Sequence, residues 1–151
     1  MFAPVAGTTF AMERIVVAAK AGADQPWVAD AAAELAKQTG ASVRVVSVDG
    51  VEMEALSPLP RSEYLQDARE AAEAMTERLR DQGVDAIAAV RSGRVVPGIL
   101  LYAEEEDADL IVVGASTLGP VARRILGDVP LELVQRSRRP VLVVSAPGAK
   151  G

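Results

Sequence analysis

Between Gly114 and Asp128 the chain reads GASTLGPVARRILGD. Glycines at 114, 119 and 127, with Arg123 and Arg124 between them, are what a phosphate-holding loop uses. Glycine lets the backbone come close to phosphate oxygens, and arginine supplies fixed positive charge. The segment follows directly on the apolar run LIVV, Leu110 to Val113, yet it ends in a carboxylate, Asp128. The residues therefore pose a choice between a nucleotide loop and a loop that has lost that role.

Little other chemistry is open to this chain. Its 151 residues contain no Cys and no His. That removes disulfides and thiolate nucleophiles, the commonest metal ligand, and the side chain best suited to proton transfer near neutral pH. No catalytic constellation and no metal site can be read from the residues. A net charge of -5 argues against nucleic acid as a partner, which would call for a basic stripe. No apolar run approaches the ~20 residues of a membrane span, and Met1 to Ala11 lacks the basic start of a secretory signal, so the expected location is cytoplasmic.

The elements that must position the loop alternate strictly. Strands are expected at Ile15–Ala19, Val43–Val48, Val84–Val90, Asp109–Val113 and Val141–Ser145. Helices are expected from about Gln25, opened by Asp24 and Pro26 and stopped by Gly40; from Glu63 to Gln82, stopped by Gly83; from Pro97 to Glu106; and from Val129 to Ser137. The first helix is expected to bury Val28, Ala31, Ala32 and Leu35, and the second Leu65, Ala68, Ala72, Met75 and Leu79. Trp27 reads as packing. DGVEMEALSPLPRS, after the second strand, lacks periodicity and reads as a long surface loop or lid. Half the residues are hydrophobic but only five are aromatic, as when small-residue helices cover a Val-rich sheet.

This pattern predicts an α/β fold: one doubly wound, five-stranded parallel sheet with helices on both faces. Residues 1–12 are expected to be a flexible extension, 13–146 the domain and 147–151 a tail. Ligands of such sheets sit beyond the carboxyl ends of the strands, where the winding reverses. The candidate segments are therefore the loops after strand one (Ala19 to Asp24), strand two (Asp49 onward) and strand four (Gly114 onward), and the candidate positions Ala19, Lys20, Val48, Gly114, Thr117, Gly119, Arg123, Arg124, Gly127 and Asp128. A lysine-dependent NTPase loop is disfavoured, because Pro120 and Val121 follow Gly119. A dinucleotide fingerprint fails in AAKAGADQ after the first strand.

ADLIVVGASTLGPVARRILGD (Ala108 to Asp128), RRPVLVVS (Arg138 to Ser145) and the opening IVVAAK resemble the universal stress protein family, of the adenine nucleotide hydrolase-like α/β type. The resemblance covers Glu13 to about Ser145. It implies G-x2-G-x9-G-[S/T] after strand four in members that bind ATP. Here Gly114, Thr117, Gly127 and Asp128 stand at those intervals, so the second glycine and the Ser/Thr are replaced. Such members also place an Asp after the first strand, where this chain has Lys20, and an acidic residue after the turn at Gly93, where it has Arg94.

If position 117 needs positive φ, a β-branched Thr is strained there by ~1–3 kcal/mol. Asp at position 128 is a strong helix N-cap, whose carboxylate accepts the backbone N–H groups that a phosphate would use. A phosphate within ~5 Å of it meets repulsion of roughly 1–3 kcal/mol per unit charge. Two readings stay open. One is a binding or signalling module with a degenerate nucleotide loop and no required cofactor. The other binds ATP or AMP, with slow hydrolysis, through Lys20, Arg123 and Arg124. The resemblance also implies a homodimer through Val141–Ser145, an apolar edge strand whose backbone groups a second copy would satisfy.

Overall fold

A computed structural model describes residues 11–52, 59–116, 119–121, 124 and 127–148. Thr117, Arg123 and much of the long segment after the second strand lie outside the described residues. The elements are β1 (Arg14–Ala18), α1 (Pro26–Thr39), β2 (Ser42–Val48), α2 (Arg61–Asp81), β3 (Ala86–Arg91), α3 (Val95–Glu105), β4 (Leu110–Gly114), α4 (Val129–Arg136) and β5 (Val141–Val144). The five strands form one parallel sheet in the order β3-β2-β1-β4-β5.

Both faces of β1 and β4 are covered, which is why Ile15–Ala18 and Leu110–Val113 are continuous apolar runs rather than alternating ones. Ile15, Val17, Val43, Val45 and Val112 pack with α1 and α2. Val16, Val46, Val48, Ile111 and Val113 pack with α3 and α4 on the opposite face. The core is thus two layers of Val, Ile and Ala on either side of one sheet.

Several boundaries differ from those expected. The N-cap of α1 is Gln25, not Asp24, and Gln25 makes no side-chain capping bond. Its side chain is buried against Gly114 instead, where an added Cβ would lie 3.0 Å from Nε2. The buried face of α1 is Val28, Ala29, Ala32, Ala33 and Ala36 rather than one through Ala31 and Leu35. An alanine-rich helix offers nearly equal faces, and tertiary packing selects among them. On α2 the aromatic Tyr64 is buried in place of Leu65, and the helix starts two residues earlier than expected. β3 starts at Ala86 because Val84 closes α2: its N–H donates to the Leu79 carbonyl (3.1 Å) while Gly83, at φ +82°, donates to Arg80 (2.9 Å). This is a Schellman end, which uses up the residues otherwise free to pair.

α1 and α2 are joined on the surface by Asp30, which accepts from Arg78 Nε (2.8 Å) and Nη2 (2.9 Å) and from Gln82 (2.9 Å). The Arg78 hydrogen bond holds the Asp30 carboxyl below the usual carboxylate value, partly opposed by its desolvation. The unfolded chain therefore takes up this proton first. The contribution of the pair is full above about pH 4 and is lost as acid titrates the folded carboxylate. Exposure of both side chains keeps it small. We expect Asp30→Asn to flatten the acid limb of a melting-temperature profile slightly, with little effect at neutral pH.

α3 sits close to the end of β2 because residue 98 has no side chain. A Cβ on Gly98 would stand 2.9 Å and 3.2 Å from the two methyl carbons of Val48. Gly98→Ala is expected to cost ~1–3 kcal/mol by overpacking, read as a lower urea midpoint at unchanged slope.

Candidate functional site

The strand order reverses between β1 and β4, so their following loops diverge and leave a cleft at the carboxyl edge of the sheet. The cleft holds about 170 Å³. Of the positions expected from the sequence, Ala19, Lys20, Val48, Gly114 and Gly127 line it. Gly119 and Arg124 are exposed and do not line it, Asp128 stands beside it between the lining residues Gly127 and Val129 without lining it, and Thr117 and Arg123 lie outside the described residues. Ala18, Val46, Ile99 and Val113 supply apolar wall.

Asp128 stands at the mouth of α4 in extended conformation, and its Oδ1 accepts from the Leu131 N–H at 3.2 Å. Its carbonyl accepts the Glu132 N–H at 2.9 Å. The carboxylate therefore satisfies one of the donors that an unoccupied helix start would offer an anion, and gains from the positive end of the dipole. Asp128→Ala is expected to cost ~1 kcal/mol, about 2–4 °C in melting temperature. A thermal melt in the absence of nucleotide measures it.

Three acidic residues also line the cleft: Asp49 and Glu52, in the loop from Asp49 onward that the sequence offers as a candidate segment, and Glu132, which it does not. Asp49 follows β2 and is 2% exposed. Its Oδ1 accepts from the Gly93 N–H (3.0 Å), and its Oδ2 accepts the Ser92 hydroxyl (2.8 Å) and pairs with Arg61 Nη2 (2.5 Å). The Arg61 guanidinium also donates to the Ser92 hydroxyl. Backbone bonds from Asp49 to Arg91 and from Val51 to Gly93, both 3.0 Å, run alongside. The beginning of the segment read as a lid is thus fastened to the β3–α3 loop, and so is Arg61 near its end.

Glu52 extends the same seam. Its Oε1 accepts from the Val95 N–H at 3.0 Å, at the start of α3, and its Oε2 lies 3.6 Å from Arg94 Nε. α3 has no side-chain cap of its own, so Glu52 serves as one from a different loop. The third acid, Glu132, lies in the first turn of α4. Asp49 is marked in the sequence by a charge directly after an apolar run, whereas Glu52 and Glu132 each stand between apolar neighbours with no pattern that singles them out.

The arrangement provides an apolar slot edged by backbone and by both signs of charge, suited to a small ring system with a polar substituent. Among the described residues no three His, Cys, Asp or Glu side chains converge to hold a metal ion. No helix among them is long and apolar enough to cross a membrane.

Comparison with known proteins gives one consistent picture. The universal stress protein family model matches residues 12–145. Universal stress protein Rv1636 of Mycobacterium tuberculosis is 42% identical over 52 residues, 34% of this chain and 36% of that protein, so the aligned stretch spans about a third of the relative. A solved universal stress protein from Archaeoglobus fulgidus is 26% identical with a TM-score of 0.70, covering 87% of this chain and 98% of that one. A structure of the protein from that organism in complex with dAMP is also 26% identical, with a TM-score of 0.64 over 89% of this chain and 99% of the other. A universal stress protein in complex with cAMP shares the fold at 24% identity, with a TM-score of 0.70 over 89% of this chain and 98% of that one.

Proposed function

The chain belongs to the universal stress protein family, and from that premise we propose that it is a small-molecule-binding or signalling module whose cleft does not take ATP in the usual way. The observation that carries this reading is Asp128 bonded to the Leu131 N–H at the mouth of α4. A triphosphate tail directed at that helix meets a carboxylate already seated on one of its donors. That proteins of similar fold have been solved in complex with dAMP and with cAMP supports a nucleotide-like small molecule as the class of ligand.

Calorimetric titration with ATP and AMP, with and without magnesium, tests the reading. No binding of ATP in the micromolar range is expected. Micromolar ATP affinity in the unaltered chain would sink it. Combining Thr117→Gly with Asp128→Ser is expected to bring ATP binding into that range, since it restores the family's residue types at both replaced positions.

A second reading, in which ATP or AMP is bound and slowly hydrolysed, draws support from Lys20 in the cleft wall. In that reading Lys20, Arg123 and Arg124 take the phosphate contacts, and AMP titrations on Lys20→Ala separate it from the first.

The proposal includes a homodimer formed through β5. That strand lies at the sheet edge, with Leu142 and Val143 exposed on its two faces. Light scattering after size exclusion should report about twice the 15.8 kDa of one chain. It also includes action in the cytoplasm, which fractionation of cells making a tagged chain would check.

A further inference from the structure

Gly127 turns at φ +83° just before α4, and the space beside its Cα is occupied. A Cβ built there would stand 2.5 Å from Glu132 Oε1 and 3.7 Å from Cδ. The first turn of α4 carries this side chain back over the loop, because the Glu132 N–H is anchored on the Asp128 carbonyl. Gly127 and Glu132 both line the cleft. The cation paired with Glu132 is Arg136, whose Nη1 is 3.9 Å away and whose side chain is half exposed. An exposed i,i+4 pair at that distance neutralises little of the charge. A carboxylate therefore lies where glycine would let a phosphate approach the backbone, and Asp128 adds a second at the same helix start. The slot also has apolar walls, among them Val46, Val48, Ile99 and Val113.

Resting on the reading of this cleft as a nucleoside-type site, we propose that Glu132 is a charge-selecting residue. The cleft takes an uncharged nucleoside, or a flat heterocycle of that class, and refuses its phosphorylated forms. The ring system gains from the apolar walls whatever its substituent carries. A phosphate attached to it must either displace the Glu132 carboxylate from Gly127 or lie beside it and compete with it for Arg136, a cation of the same cleft wall. Both options weaken binding in proportion to the charge brought in. Glu132→Gln keeps the length of the side chain and removes the repulsion.

The test titrates the full chain and the Glu132→Gln and Glu132→Ala variants with adenosine and with AMP by calorimetry at neutral pH. Thermal melts confirm that each variant is folded. The unaltered chain should bind adenosine about tenfold or more tightly than AMP, equivalent to about 1.4 kcal/mol. Both variants should close most of that gap by improving AMP alone, and added salt should narrow it in the unaltered chain. AMP binding as tight as adenosine in the unaltered chain, or a gap that both variants leave intact, would overturn the role of Glu132 and leave the cleft standing as a ligand site. No binding of either compound at millimolar concentration would overturn the cleft reading and this inference together.

Discussion

Replacing Asp49 with alanine is expected to lower stability by about 3 kcal/mol, or roughly 6–12 °C in melting temperature. The expectation follows from the number of groups this one carboxylate satisfies while almost wholly buried: the Gly93 N–H, the Ser92 hydroxyl and the Arg61 guanidinium. Removing it leaves the part-buried Gly93 N–H without its acceptor, which costs more than the net value of a hydrogen bond, and takes one ion-pair partner from Arg61. Arg61 is 39% exposed and can recover some hydration, which keeps the figure below that for a fully enclosed pair. Asp49→Asn should fall between, since it retains the shape and one acceptor but loses the charge. A urea series on the three chains decides the matter. A loss under about 1 kcal/mol for alanine, the range of an ordinary exposed pair, would show that the seam between the β2 and β3 loops does not depend on this residue.

The second large effect is expected at the opposite edge of the sheet. Introducing Lys at both Leu142 and Val143 should convert the dimer to a species of about 15.8 kDa at micromolar concentration. It should weaken association thirtyfold or more, about 2 kcal/mol. Both side chains are more than a third exposed in the single chain, whereas their neighbours Val141 and Val144 pack inward, so the substitutions leave the core intact. Leu131 and Val134, each 53% exposed on α4, place further apolar surface near the same edge. An edge strand with apolar residues on both faces invites pairing, and lysine there is how sheets prevent it. Light scattering that reports only the single-chain mass for the unaltered protein would remove the dimer from the proposal. An unchanged dimer in the double-lysine variant would move the interface elsewhere.

Much of the architecture was legible before any coordinates. The apolar runs mark the strands because a sheet largely covered by helices leaves few polar positions to interrupt them. Gly40 and Gly83 end α1 and α2 where expected, and both adopt positive φ. The capping role of Asp128 was legible because its bond spans three residues, so acceptor and donor are neighbours in the chain. The replacement of two residues in the G-x2-G-x9-G-[S/T] spacing was equally visible once the family resemblance was drawn.

Contacts between distant residues decided the rest. Asp49 meets Ser92 and Gly93 across more than forty positions, and Glu52 caps α3 across a similar distance. Neither has a local pattern, because the sheet alone brings the β2 and β3 loops side by side. Gly114 reads as a phosphate-loop glycine by its neighbours in sequence, yet in the fold it also makes room for Gln25 and Val28 of another element. Local signals, carried by hydrophobic period and by bonds within a turn, set the elements and the helix cap. The order of strands, the buried acid that joins two loops and the carboxylate laid over Gly127 depend on which surfaces pack together, and only the three-dimensional arrangement determines that.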